Sequence, residues 1–197
     1  MTSTRPIADA NASPITPSLS PPLRRLALTG FMGAGKSTVG RLLAARLGWD
    51  FLDLDTHLEQ RTDATIPQLF ERFGEARFRR LESTALASAL AFSNIVLALG
   101  GGTPEDLTNR LLLEQTPGVF TIFLDGSFTT LFDRCVLQDI ARPVLTNRAE
   151  AERRFIRRHP LYRRLAGLTI DTADLTPART VDAVLEALVN RVEKIAM

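Results

Sequence analysis

Lysine is nearly missing from this chain: it occurs only at Lys36 and Lys194, and every other basic residue among the 24 is arginine. Cysteine is rarer still. Cys135 stands alone, which excludes a disulfide framework and suits a reducing compartment, so a cytoplasmic location is expected. The two histidines, His57 and His159, are unpaired in sequence, are expected to be structural or solvated, and belong to no cluster with metal-ligand spacing. No apolar run approaches the roughly 18 residues that a membrane-spanning helix needs. There is neither an internal repeat nor a nucleophile elbow. These absences set aside disulfide scaffolds, zinc modules, membrane spans and repeat arrays.

The 197 residues suffice for one domain with a tail. Residues 1–24 hold five of the chain's eleven prolines (Pro6, Pro14, Pro17, Pro21 and Pro22) with several Ser and Thr and few large apolar side chains. Such a composition cannot bury enough apolar surface to offset its ordering entropy, and a disordered extension is expected there. It also lacks the apolar centre of a secretory signal. Residues 25–197 are ample for a packed α/β core.

Lys36 lies in the one motif whose chemistry can be read directly. Gly30-Phe31-Met32-Gly33-Ala34-Gly35-Lys36-Ser37 satisfies the phosphate-binding loop pattern without a mismatch. The short apolar run Leu26–Thr29 precedes it, and Val39, Leu42, Leu43 and Leu47 follow at helical spacing. Strand, glycine turn and helix are the setting the motif needs. Backbone N–H groups and the positive end of the helix then face a polyphosphate. Lys36 reaches the β- and γ-phosphates in this reading, and the Ser37 hydroxyl ligates Mg²⁺.

Five apolar runs, Leu26–Thr29, Phe51–Leu54, Ile95–Leu99, Val119–Leu124 and Leu168–Asp171, alternate with segments of helical character. That alternation predicts an α/β fold, a three-layer αβα sandwich on a five-stranded parallel sheet. Thr103-Pro104 and Thr176-Pro177 each place a hydroxyl before a proline, and both read as helix starts. Ligands of such sheets bind at the carboxyl ends of the strands. Three unusual segments fall there: the phosphate loop, Asp53-Leu54-Asp55 and Gly100-Gly101-Gly102.

Asp53 and Asp55 alternate, so on a strand both would point to one face. One carboxylate suits Mg²⁺, directly or through water. The other suits a proton or hydrogen bonds from an acceptor hydroxyl. The triple glycine marks a place where backbone comes close to something, either a small ligand or a plain loop. Arg79 and Glu82 share a helix face within an expected helix from about residue 75 to 91. They are either a surface ion pair or an arginine aimed at an anion and steadied by Glu82. Eight arginines crowd positions 142–164. No aromatic residues interleave with them and Glu150 and Glu152 interrupt the charge, so a nucleic-acid surface is not expected. Arg142-Pro143-Val144-Leu145, between helical segments, reads as the tip of a mobile lid.

Taken in order, GFMGAGKSTVGRLLAARLG, FLDLD, EQRT, GEARFRRLE, LGGG, ARPVL, RRHPLYRR and the DT of LTIDT resemble the shikimate kinase family, P-loop kinases similar in fold to nucleoside monophosphate kinases. The resemblance implies ATP-dependent phosphorylation of the 3-hydroxyl of shikimate, with Mg²⁺. It places Gly33, Ala34, Gly35, Lys36, Ser37 and Thr38 around the phosphates. It implies Ser37 and Asp53 at the metal and Asp55 at the shikimate hydroxyls, where it acts as base. Arg79 and Arg158 grip the carboxylate beside Gly101 and Gly102. Arg142 is the lid arginine that serves both ATP and catalysis, and Arg134 flanks the adenine with the segment after Asp171. The partners implied are ATP and shikimate, without nucleic acid or membrane, for a monomer. Asp63 departs from the family's usual glycine, Thr103-Pro104 replaces a small apolar residue, and 131–140 is least family-like. Two other classes fit the loop alone: a kinase for gluconate or a nucleoside monophosphate, and a silent ligand sensor. The sensor is expected to lose Asp53 or Asp55 and to carry a DNA-binding domain.

Overall fold

The computed structural model describes residues 23–137 and 147–196. Among the described residues five parallel strands are present: β1 (Arg25–Thr29), β2 (Asp50–Asp53), β3 (Ile95–Ala98), β4 (Val119–Asp125) and β5 (Leu168–Asp171). Their order is β2-β3-β1-β4-β5, so β1 lies at the centre and the chain turns outward from it in both directions. The helices are α1 (Lys36–Leu47), α2 (Leu54–Thr62), α3 (Ile66–Ala89), α4 (Leu107–Gln115), α5 (Phe128–Leu137), α6 (Arg148–Leu165) and α7 (Pro177–Ala196).

Successive side chains of a strand point to opposite faces, and here both faces are covered. Leu26, Leu28 and Val96 belong to one core with Val39, Leu43 and Leu47 of α1 and Val184 and Leu188 of α7. Ala27 and Leu97 belong to the other, with Leu58 of α2, Leu69 and Leu86 of α3 and Leu113 of α4. Fully burying one such leucine is worth about 1.5–3 kcal/mol, so this two-faced pattern commits the strands to the middle layer. The expected three-layer sandwich is the one observed.

Local chemistry sets the helix boundaries. Thr65 and Gln68 cap α3 reciprocally: the Thr65 N–H donates to Gln68 Oε1 at 2.9 Å and the Gln68 N–H to Thr65 Oγ1 at 3.4 Å. Gly74, at φ 68° and ψ 173°, breaks this helix, which explains why its second part reads in sequence as a separate helix from residue 75. Asp63 closes α2 in the left-handed region at φ 49°. That conformation suits glycine best and aspartate tolerably, which rationalises the departure noted at this position. Leu23 and Arg24, assigned by composition to the extension, already touch the domain: Leu23 packs on the larger core and the Arg24 N–H donates to Gly118 O at 3.0 Å.

Candidate functional site

At the carboxyl end of β1 the chain makes its phosphate loop. Gly33 has φ 78°, and a Cβ there would stand 2.1 Å from Leu131 O, so no other residue fits without moving α5. Phe31 anchors the loop from below, 1% exposed and edge-on to Phe155 at 5.3 Å between ring centroids. Lys36 Nζ donates to Gly30 O at 2.9 Å and Phe31 O at 3.1 Å, which holds its charge inside the loop.

The start of α1 differs from the other helix starts. Asp53, Thr65, Asp106, Ser127, Asn147 and Thr176 each offer a side-chain oxygen to a backbone N–H at the head of α2 to α7 in turn. Gly35 gives α1 no such cap. Its first-turn N–H groups face the loop uncapped, the arrangement that binds phosphate.

Asp53 and Asp55 do not lie on one strand as expected. β2 ends at Asp53, and Asp55 already sits in the first turn of α2. Asp53 Oδ1 accepts the N–H groups of Asp55 and Thr56 at 3.2 and 3.4 Å, so its capping chemistry starts a helix where alternation implied a longer strand. Its other oxygen, Oδ2, accepts the Ser37 hydroxyl at 2.6 Å. Asp55 turns to the third segment: a Cβ on Gly100 would stand 2.6 Å from Asp55 Oδ1. The two carboxylates serve adjacent places by a cap and a turn, not by a pleat.

The glycine triplet is close-packed by polar groups. A Cβ on Gly102 would meet Arg79 Nη2 at 2.7 Å, and Gly101 O accepts the Tyr162 hydroxyl at 2.5 Å. Burial pushes the Tyr162 phenol far above its ordinary pKa, so it stays protonated and donates. Thr103 does not cap a helix as its sequence context implied. It lies in a single 3₁₀ turn, fully buried, and donates to Glu82 Oε1 at 2.8 Å, while Asp106 caps α4.

Arg79 and Glu82 form the inward pair of the two readings left open, 2.9 Å apart with Glu82 only 2% exposed. Burial disfavours the Arg79 charge, yet Glu82, with Glu105 and Glu75, holds its pKa above the ordinary value. From α6, Arg158 meets Arg79 on one carboxylate: Glu105 Oε2 lies 2.7 Å from Arg158 Nη2 and 3.3 Å from Arg79 Nη2. Glu105 and Tyr162 were not singled out by the motifs. The only signal for Glu105 was an acid just beyond the glycines in a chain rich in arginine.

Arg134 donates to Thr172 O at 2.5 Å, Ala173 O at 2.8 Å and Thr172 Oγ1 at 3.1 Å, bringing it together with the segment after Asp171. Arg142 and the expected lid tip lie outside the described residues. His159 is structural, with Nε2 3.0 Å from Asp125 Oδ1. His57 is half-buried, and burial and Arg61 hold its pKa below the ordinary value. No helix among the described residues is long and apolar enough to cross a membrane.

Known proteins resemble this chain in sequence and in fold. A shikimate kinase of Psychrobacter sp. is 40% identical over 169 residues, covering 84% of this chain and 92% of that protein. The structure of a shikimate kinase from Acinetobacter baumannii in complex with shikimate superposes with a TM-score of 0.78 at 36% identity, covering 86% of this chain and 94% of that one. A gluconokinase from Sinorhizobium meliloti shares the fold alone, with a TM-score of 0.60 at 18% identity over 88% of this chain and 96% of that one. The family model for shikimate kinase matches residues 32–189, and with these relatives it places the chain in the shikimate kinase family.

Proposed function

We propose that the protein transfers the γ-phosphoryl group of ATP to the 3-hydroxyl of shikimate, as a phosphotransferase with an alcohol acceptor, and that residues 25–197 are its catalytic domain. The observation that carries this reading is the convergence of Arg79 and Arg158, from two different helices, on a single carboxylate oxygen beside the glycine loop. Planar two-pronged guanidinium contacts are what a carboxylated acceptor requires.

In this reading Gly33, Ala34, Gly35, Ser37 and Thr38 line the phosphates with backbone N–H groups. Lys36 exchanges its loop carbonyls for the β- and γ-oxygens. Arg79, Arg158 and the Gly101 and Gly102 backbone fix the acid end of shikimate. Asp55 accepts the proton of the 3-hydroxyl as that oxygen bonds to phosphorus and the bond from phosphorus to the bridging oxygen breaks, releasing ADP. Little covalent chemistry falls to the protein, since positioning and charge neutralisation dominate phosphoryl transfer. Arg142 is assigned to the lid, and Arg134 to the adenine through the segment it holds.

Mg²⁺ suits the hard oxygen donors of Ser37 and Asp53, which already approach to 2.6 Å. Held there, it supplies charge neutralisation to the phosphate oxygens. The rest of the proposal is a cytoplasmic monomer whose partners are ATP and shikimate, with no nucleic acid or membrane. The lone cysteine, which is buried, supports the compartment.

Purified protein is expected to release ADP from MgATP only when shikimate is present. Equal release with gluconate or nucleoside monophosphates overturns the assignment.

A further inference from the structure

Three guanidiniums and three carboxylates meet beside the glycine loop. Glu105 Oε1 accepts from Arg157 Nε at 2.8 Å and lies 2.7 Å from Arg157 Nη2. Glu105 Oε2 takes Arg158 from the side, with Nε at 2.9 Å and Nη2 at 2.7 Å. Arg79 completes the set, 3.3 Å from Glu105 Oε2, 2.9 Å from Glu82 and 3.3 Å from Glu75.

The cluster is therefore neutral as it stands. Glu82 is buried and held by Thr103 and Asn109, so it is not available to leave. A further carboxylate entering between Arg79 and Arg158 brings a fourth negative charge into a partly desolvated space, which is costly unless one already present gives way. Glu105 is the one that can. Its backbone is fixed, with its N–H on Gly102 O at 2.9 Å and its carbonyl accepting Arg110 Nη1 at 3.0 Å. Its side chain ends on Arg157, which is 64% exposed and free to follow it outward.

We propose that Glu105 is an internal occupant of the acceptor's carboxylate seat and competes with the acceptor for it. Resting on the reading of Arg79 and Arg158 above, it requires an acceptor to displace Glu105 from both arginines, while Arg157 retains it at the rim. A neutral acceptor offers Arg158 no charge in exchange and leaves Glu105 in place. Glu105 thus lowers the affinity of the seat for the acids that enter it. Burial works against its ionisation, but Arg158 and Arg157 hold its pKa below the ordinary carboxylate value, so the occupant is charged at neutral pH.

The test is calorimetric titration of wild type, Glu105→Gln and Arg158→Lys with shikimate and with its methyl ester, each variant's fold being checked by thermal melting. Glu105→Gln is expected to tighten shikimate about tenfold, the scale of one charge-assisted contact, and to leave the ester within about twofold. Weaker or unchanged shikimate binding in that variant overturns the competitor role, as does equal tightening of acid and ester. If Glu105→Gln unfolds, Glu105→Asp substitutes for it, its shorter reach being expected to tighten shikimate in the same direction, and unchanged or weaker binding there counts against the proposal. Arg158→Lys reports on the underlying reading: its loss of the acid-over-ester preference keeps the seat where it is placed, so that only Glu105 is in question. An intact preference in Arg158→Lys overturns the seat itself.

Discussion

The two halves of the site are built on opposite plans. The donor half is one contiguous turn in which backbone N–H groups and an uncapped helix start do the holding. The acceptor half draws on α2, α3, the glycine loop and α6, and works through long charged side chains already engaged with one another. In the proposed reading, a polyphosphate is recognised by a shape the chain makes locally, and a small carboxylate by charges that only the completed fold brings together. The donor half therefore tolerates little change in backbone, and the acceptor half little change in charge.

Substitutions can break that contrast at either end. The largest effect is expected from Lys36→Ala, which removes the loop's mobile charge and should lower kcat about 10²–10³-fold with an unchanged circular dichroism spectrum. A fall of less than tenfold would show that backbone N–H groups alone suffice on the donor side. Asp55→Asn comes next: turnover should drop about 10²-fold, while affinity for a fluorescent ATP analogue stays within about twofold. Weakened nucleotide binding in that variant would move Asp55 to the donor half. Arg158→Lys sacrifices one prong of a two-pronged contact and should raise KM for shikimate about tenfold with little change for ATP. If instead the KM for ATP rises, the division between the halves is misplaced.

The smallest effect concerns acid stability. The folded Glu105 has a pKa below its ordinary value of 4.5, so its ion pairs stabilise the fold above that value. This contribution is lost as pH falls through the folded value. The stability difference between wild type and Glu105→Gln, followed by urea melts, should accordingly shrink as pH drops below the ordinary carboxylate range. A difference that stays constant across that range would show that Glu105 gains nothing from its arginines.

Legibility in the sequence followed the same division. The phosphate loop was readable because its eight residues carry their own geometry, and β3 was readable because a buried parallel strand is short, apolar and continuous. Where one residue serves two neighbours, sequence reading went astray. Asp53 looked like part of a strand end shared with Asp55, yet its carboxylate both caps α2 and meets Ser37. Thr103 followed by proline looked like a cap, yet its hydroxyl is spent on a buried glutamate of another helix. Tyr162, inside RRHPLYRR, is buried and adds a hydrogen bond to Gly101 that the motif does not announce. The role of Glu105 was not legible, because its partners Arg79, Arg157 and Arg158 lie 26, 52 and 53 positions away along the chain, pairings that only the tertiary fold specifies.

β1 and β3 are hydrogen-bonded neighbours, with Leu28 opposite Ala98 and the Leu99 N–H reaching Leu28 O at 3.0 Å. The loops that follow these two strands are thus mounted on adjacent rungs whose pitch, about 4.8 Å, belongs to the sheet and not to either loop. Replacing the segment after β3 could change which alcohol is presented, while the gap a phosphoryl group must cross stays the same. Inserting a strand between them would roughly double that gap to about 10 Å and uncouple the two halves. New acceptors for this scaffold are therefore to be sought by exchanging loops, with the order of the strands left alone.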